Sequence, residues 1–158
     1  EICACLVGSE MCIRDSSYYN GDFIALEKAH LNKGWKLVDN WHPDNKAGKR
    51  NGFVDVPMLE ATRPGDRLTL DFRGKAIGIF CVSGPSAGIL EYSVDGAPFK
   101  ELDTFTEWSH NLYIPWVYML ETELKDTDHK LVLRISKKKN PASQGTECQI
   151  RNFVVNGR

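Results

Sequence analysis

Two stretches decide the fold, Arg67-Leu68-Thr69-Leu70-Asp71-Phe72-Arg73 and Lys130-Leu131-Val132-Leu133-Arg134-Ile135-Ser136. Each alternates strictly. The period of two places Leu68, Leu70 and Phe72, and likewise Leu131, Leu133 and Ile135, on one face, and Arg67, Thr69, Asp71, Arg73, Lys130, Arg134 and Ser136 on the other. Both are half-buried antiparallel strands. Between them, Ala76-Ile77-Gly78-Ile79-Phe80-Cys81-Val82 is apolar on both faces, as a strand covered on each side must be. Leu90, Tyr92 and Val94 alternate with Glu91 and Ser93 up to Asp95-Gly96, a hairpin turn signal, after which the chain resumes through Phe99 to Leu102. Val54, Val56 and Met58 form an earlier strand in which Pro57 demands an edge or a bulge. Residues 35–38, part of 112–120, and 149–155 complete a set of about eight strands spaced by turns such as Arg63-Pro64-Gly65-Asp66 and Gly84-Pro85. Helical periodicity is confined to a turn or two within 25–31. The pattern predicts an all-β protein, an antiparallel β-sandwich of jelly-roll type.

Of the 158 residues, 20 are Lys or Arg and 21 are Asp or Glu, a balance that argues against a nucleic-acid partner. Lys137-Lys138-Lys139 reads as a solvated strand end. No stretch approaches the ~18 consecutive apolar residues of a membrane span. The length fits one domain. Three of the five cysteines, Cys3, Cys5 and Cys12, fall near the start, where Leu6-Val7-Gly8-Ser9-Glu10-Met11-Cys12-Ile13-Arg14-Asp15-Ser16 resembles the translation of a transposase-type sequencing adapter. Residues 1–16 are therefore set aside as a non-native segment. Residues 17–52 form a lead-in with the first strand, and 53–158 the body of the same domain. Cys81 and Cys148 read as buried thiols on strands, with a bridge between them left open.

Catalytic patterns are sparse. There is no glycine-rich phosphate loop, and His30, His42, His110 and His129 have no metal-ligand spacing. Asp39-Asn40-Trp41-His42-Pro43 fits the D-x-x-H-P signature in which SGNH/GDSL esterases hold a base and its orienting acid. The matching nucleophile is missing, because Gly21-Asp22-Phe23 has Phe where that family places serine. Glu91, Asp95, Glu101 and Asp103 around the hairpin read as solvated carboxylates rather than a glycosidase pair.

The aromatic residues are more telling. Phe105, Trp108, Tyr113, Trp116 and Tyr118 crowd one segment, interleaved with Thr106, Glu107, Ser109, His110 and Asn111. Indole and phenol faces can lie on the C–H face of a sugar while neighbouring polar groups take its hydroxyls. Trp108, His110, Tyr113 and Trp116 are thus the candidate ligand-binding residues. The competing reading is that these rings fill a sandwich end or an interdomain contact. Trp35 and Trp41 read as core.

Lys33-Gly34-Trp35, Gly52-Phe53-Val54-Asp55-Val56-Pro57-Met58, Gly84-Pro85-Ser86-Ala87-Gly88, Tyr92-Ser93-Val94-Asp95-Gly96 and Ile114-Pro115-Trp116, in that order, resemble the β-sandwich region that follows the catalytic domain in bacterial SGNH/GDSL hydrolases. The likeness spans about residues 18–156, and these motifs carry no catalytic residue. Ser86 stands where an acidic residue is expected. The resemblance implies a galactose-binding-like jelly roll serving as a non-catalytic accessory domain of a secreted or periplasmic carbohydrate-active esterase. Its partners would be a polysaccharide and a catalytic domain lying upstream. No cofactor is implied, and structural calcium is left open. Two rival expectations are an independent esterase using Asp39 and His42, and a purely structural packing module.

Overall fold

A computed structural model describes residues 21–157. The segment 1–16 set aside in the sequence lies outside the described residues. Eleven strands follow in chain order: β1 (Gly21–Ile24), β2 (His30–Lys33), β3 (Lys36–Trp41), β4 (Val56–Ala61), β5 (Arg67–Gly74), β6 (Ala76–Ser83), β7 (Ile89–Val94), β8 (Lys100–Asp103), β9 (Ile114–Glu121), β10 (Thr127–Ile135) and β11 (Cys148–Asn156). Two single 3₁₀ turns, Leu26–Lys28 and Glu107–His110, are the helical elements among the described residues. The first sheet runs β3-β4-β11-β6-β9, with β1 beside the far half of β11; the second runs β2-β5-β10-β7-β8. Pairing within both sheets is antiparallel.

The two deciding stretches lie side by side at the centre of the second sheet, with Leu70 opposite Leu131 and Leu68 opposite Leu133. Their apolar faces meet Ile77, Ile79, Cys81, Ile150 and Phe153 of the first sheet in one core. Burying each such aliphatic side chain stabilises the fold by about 1.5–3 kcal/mol relative to exposure. Packing of the two inner faces is what makes the sandwich.

β6 is apolar on its second face for a specific reason. The excursion 42–55 between β3 and β4 folds back over the outer face of the first sheet, where Trp41, Met58, Val82 and Tyr113 form a second cluster flanked by Ala47, Phe53 and Val54. Phe53 packs edge-on against Phe80 of β6, with ring centroids 5.3 Å apart.

Some sequence expectations need correction. Among the described residues there are eleven strands rather than about eight; β1 and β2 escaped the sequence reading because they are short, largely exposed and lack a legible alternation. The helical turn in 25–31 stops at Lys28, and His30 and Leu31 already belong to β2. β4 begins at Val56 and runs on to Ala61, so Val54 belongs to the covering excursion. Pro57 sits where the β3–β4 register shifts and beyond the part of β4 paired to β11, which spares the ladder its missing N–H. Ser136 lies just past β10 and is buried rather than outward; its hydroxyl donates to Glu91 at 2.8 Å. Cys81 and Cys148 are both buried free thiols, so the bridge left open is not formed.

The Asp95-Gly96 turn is as expected. Both residues have positive φ, 53° and 77°, and Ala97 N–H closes the turn on Val94 C=O at 3.1 Å.

Candidate functional site

β8 edges the second sheet and β9 the first, and the chain crosses between them through the 3₁₀ turn Glu107–His110. The Lys100 ammonium of β8 and the Glu121 carboxylate of β9 form an ion pair across the two edges. This crossing carries the aromatic segment.

Buried hydroxyls fix the turn. Ser109 is fully buried, and its Oγ lies 2.8 Å from Ser83 Oγ and 2.9 Å from Thr106 Oγ1 while accepting the Thr106 N–H at 3.1 Å. The Ser83 hydroxyl also donates to Thr104 C=O, and the Thr104 hydroxyl donates to Gly88 C=O at 2.7 Å. A buried network of this kind, with each hydroxyl partnered, holds one geometry. On this anchored turn the Trp108 ring is 62% exposed. So large an apolar side chain left in water on an anchored turn adds little to core packing.

Trp116 is also exposed, at 46%, for a topological reason. Opposite Cys81 in the register, it points to the core side of the sheet, but β9 is the edge strand and its outermost ring stands clear of the core. Tyr118, two residues along the same face, packs beside it with centroids 6.5 Å apart and sends its hydroxyl to Thr104 C=O at 3.4 Å. Burial pushes the Tyr118 phenol well above its ordinary range. It is therefore a neutral donor at any physiological pH.

The four sequence candidates do not act as one patch. Trp108 and Trp116 are exposed, and the exposed His110 sits edge-on to Phe105 with centroids 5.0 Å apart. Tyr113 instead turns inward to the second cluster. Its ring meets Trp41 at 5.3 Å and 72°, and its hydroxyl accepts from the Asn45 amide at 2.7 Å. Sequence reasoning passed over Tyr118 as support and the Ser83–Ser109 pair as anchor. Two small polar residues that meet only across the sandwich edge leave no periodic signal.

His42 contacts a carboxylate, but not that of Asp39. Its Nδ1 lies 3.0 Å from Asp55 Oδ1, and both side chains are largely open to solvent. Among the described residues no three His, Cys, Asp or Glu side chains gather to hold a metal ion, and no helix is long and apolar enough to cross a membrane.

No family model and no curated protein sequence matches the chain. Solved structures do. A two-domain esterase (CEX) active on acetylated mannans, crystallised with mannopentaose, superposes with a TM-score of 0.54 at 15% identity over 84% of this chain and 38% of its own. A family two carbohydrate esterase from Cellvibrio japonicus gives 0.51 at 12% over 88% and 34%, and an exo-β-1,3-galactanase from Phanerochaete chrysosporium gives 0.55 at 12% over 87% and 29%. This chain thus spans well under half the length of those proteins. At such identity the likeness is one of fold, and the fold is a β-sandwich found in carbohydrate-active enzymes.

Proposed function

We propose that this chain is a non-catalytic, glycan-binding accessory domain of a secreted or periplasmic SGNH-type carbohydrate hydrolase, running as one domain from residue 17. Catalysis would belong to a neighbouring domain whose substrate site this one extends. The observation that carries the reading is the pair of exposed indoles, Trp108 on a turn pinned by buried hydroxyls and Trp116 on the edge strand β9. A turn anchored in advance loses little backbone freedom when a sugar stacks on its ring, so more of the apolar contact is retained as affinity. The exposed His110, at the end of the same turn as Trp108, offers a polar group to sugar hydroxyls. That this fold occurs in mannan-active esterases and a galactanase supports a polysaccharide as ligand.

The test is affinity electrophoresis in gels containing soluble mannan, galactan or xylan. Trp108→Ala and Trp116→Ala should each reduce retardation while unfolding stays cooperative. Equal retardation of both variants and wild type would exclude the rings as the contact.

A second reading, a packing module without ligand, draws on one observation. Phe23 on β1 is 61% exposed beside an apolar groove of about 270 Å³ walled by Met119, Val154 and Val155. Under that reading Phe23→Ser would weaken attachment to a catalytic neighbour and no polysaccharide would retard the domain. An independent esterase needs Asp39 on His42, whereas His42 pairs with Asp55. Hydrolysis of acetyl esters by the isolated chain, abolished in His42→Ala, would be its signature.

A further inference from the structure

The excursion 42–55 leaves a hollow of about 560 Å³ on the outer face of the first sheet. We propose that this hollow is a second, separate saccharide site that takes a short neutral sugar and rejects uronic acids. Four observations lead there.

The first is placement. The register aligns Lys36 with Glu60 and Glu60 with Gln149, and Gln149 with Val82, so these side chains share the outer face. Trp116 is aligned with Cys81, one residue out of step with Val82, and so belongs to the opposite face. Alternation along a strand makes the two surfaces distinct. A sugar in the hollow does not touch Trp108 or Trp116, neither of which lines it.

The second is size and floor. The volume falls within the roughly 300–1,000 Å³ of small-molecule sites. Trp41 and Tyr113, both buried, meet at the wall, and each is locked: the Trp41 indole N–H donates to Glu60 Oε2 at 2.7 Å and Tyr113 accepts from Asn45. The two rings are almost wholly buried, so they give the hollow a rigid backing present before any ligand arrives, and its polar rim makes the contacts.

The third is the kind of polar group lining the hollow. Gln149, almost wholly buried, donates to Glu147 at 3.3 Å, which places an amide and a carboxyl side by side. Adjacent planar groups of that type accept from and donate to neighbouring hydroxyls, the pattern a sugar ring presents.

The fourth is charge. Lys36 is paired with Glu60 at 3.6 Å, and His42 with Asp55. Among the described residues neither Glu147 nor Asp44 has a basic side chain within ion-pair distance, so the lining carries surplus negative charge. Burial, and after it the Glu60 charge, raise the Glu147 carboxyl above its ordinary value, as they must where a carboxylate is partly desolvated without a counter-ion. A ligand carboxylate would meet the same penalty, whereas a hydroxyl gains an acceptor.

The four tryptophans give the experiment its readout. Indole N–H resonances of the full chain are assigned with single Trp→Phe variants, and wild type is titrated with mannose, galactose and glucose, then with galacturonate. At least one neutral hexose should shift the Trp41 resonance, and do so equally in a Trp108→Ala, Trp116→Ala variant, with galacturonate about tenfold weaker or worse. In Glu147→Gln that gap should narrow to about threefold. A Trp41 signal unmoved by all three neutral hexoses overturns the proposal, as does galacturonate binding as tightly as the best of them. Either failure is distinct from failure of the ring reading, which is measured on polysaccharide gels at Trp108 and Trp116.

Discussion

The indole N–H of Trp41 donates to the carboxylate of Glu60 at 2.7 Å, joining the last residue of β3 to the neighbouring strand across the outer face of the first sheet. Trp35, immediately before β3, is also buried, but among the described residues its indole N–H has no acceptor. The contrast gives a measurable ordering. Trp41→Phe leaves a partly buried carboxylate without its donor and should cost about 1–3 kcal/mol beyond the lost ring volume. Trp35→Phe removes a buried polar group that makes no bond, so its cost should be confined to the volume term. Urea unfolding midpoints of the two variants should therefore fall in the order Trp41→Phe below Trp35→Phe.

Stability should respond to pH through His129. Its Nδ1 lies 2.6 Å from Asp95 and its Nε2 2.7 Å from Lys125 C=O, so only the doubly protonated ring can donate to both. The Asp95 hydrogen bond, and next the Lys125 carbonyl, raise the His129 value above 6.5. Its stabilisation is complete below the unfolded value and fades as pH climbs through the raised folded one. Asp95 is held below its ordinary 3.8 by the His129 hydrogen bond and then the Lys130 N–H, so its share is present above 3.8 and fades as pH falls through the lowered value. The pair is fully effective from about pH 4 to 6.5. Since Asp95 is half exposed, screening limits the gain to roughly 1 kcal/mol or less. Asp95→Asn should lower the thermal midpoint most within that window and flatten the decline of the profile on either side of it.

Gly84 faces Tyr113 so closely that an added Cβ would lie 2.1 Å from the ring. The ring is wedged against Trp41 and cannot retreat. Gly84→Ala should destabilise by about 1–3 kcal/mol through overpacking. It should also change the near-ultraviolet circular dichroism from the Trp41–Tyr113 pair.

Ser109→Ala removes the hydroxyl shared by Ser83 and Thr106. A loss of about 1 kcal/mol in stability is expected. The sharper readout is Trp108, whose fluorescence anisotropy should fall as its turn loosens.

Cys81 and Cys148 should resist thiol reagents in the native state. Burial pushes Cys81 up to about 12 and raises Cys148 well above its usual value. Peptide mapping after maleimide treatment should find both unlabelled until denaturant unfolds the chain.

The strands with strict alternation were legible in the sequence because their inward and outward environments differ residue by residue. Leu68, Leu70, Phe72, Leu131, Leu133 and Ile135 are all buried as the pattern requires. β1 and β2 left no such trace, since strands exposed over most of their length impose little pattern. The aromatic segment announced itself, but its division did not. Whether a ring at Tyr113 or at Trp116 meets solvent depends on which strand ends at the sheet margin, a property of pairing order that local composition does not encode. The outer hollow was invisible for the same reason. Glu60 and Gln149 lie far apart in the sequence, and register alone sets them side by side.

The excursion over the first sheet leaves at Trp41 and returns at Val56, which face each other on paired strands, and Asp55 N–H closes the gap on Trp41 C=O at 2.8 Å. Its length is thereby uncoupled from the strand pairing beneath, so a homologous segment that keeps the Phe53 and Asn45 contacts to the first sheet could be transplanted between those fixed posts. Evolution could likewise retailor the hollow's roof repeatedly without disturbing a single core residue of the second sheet.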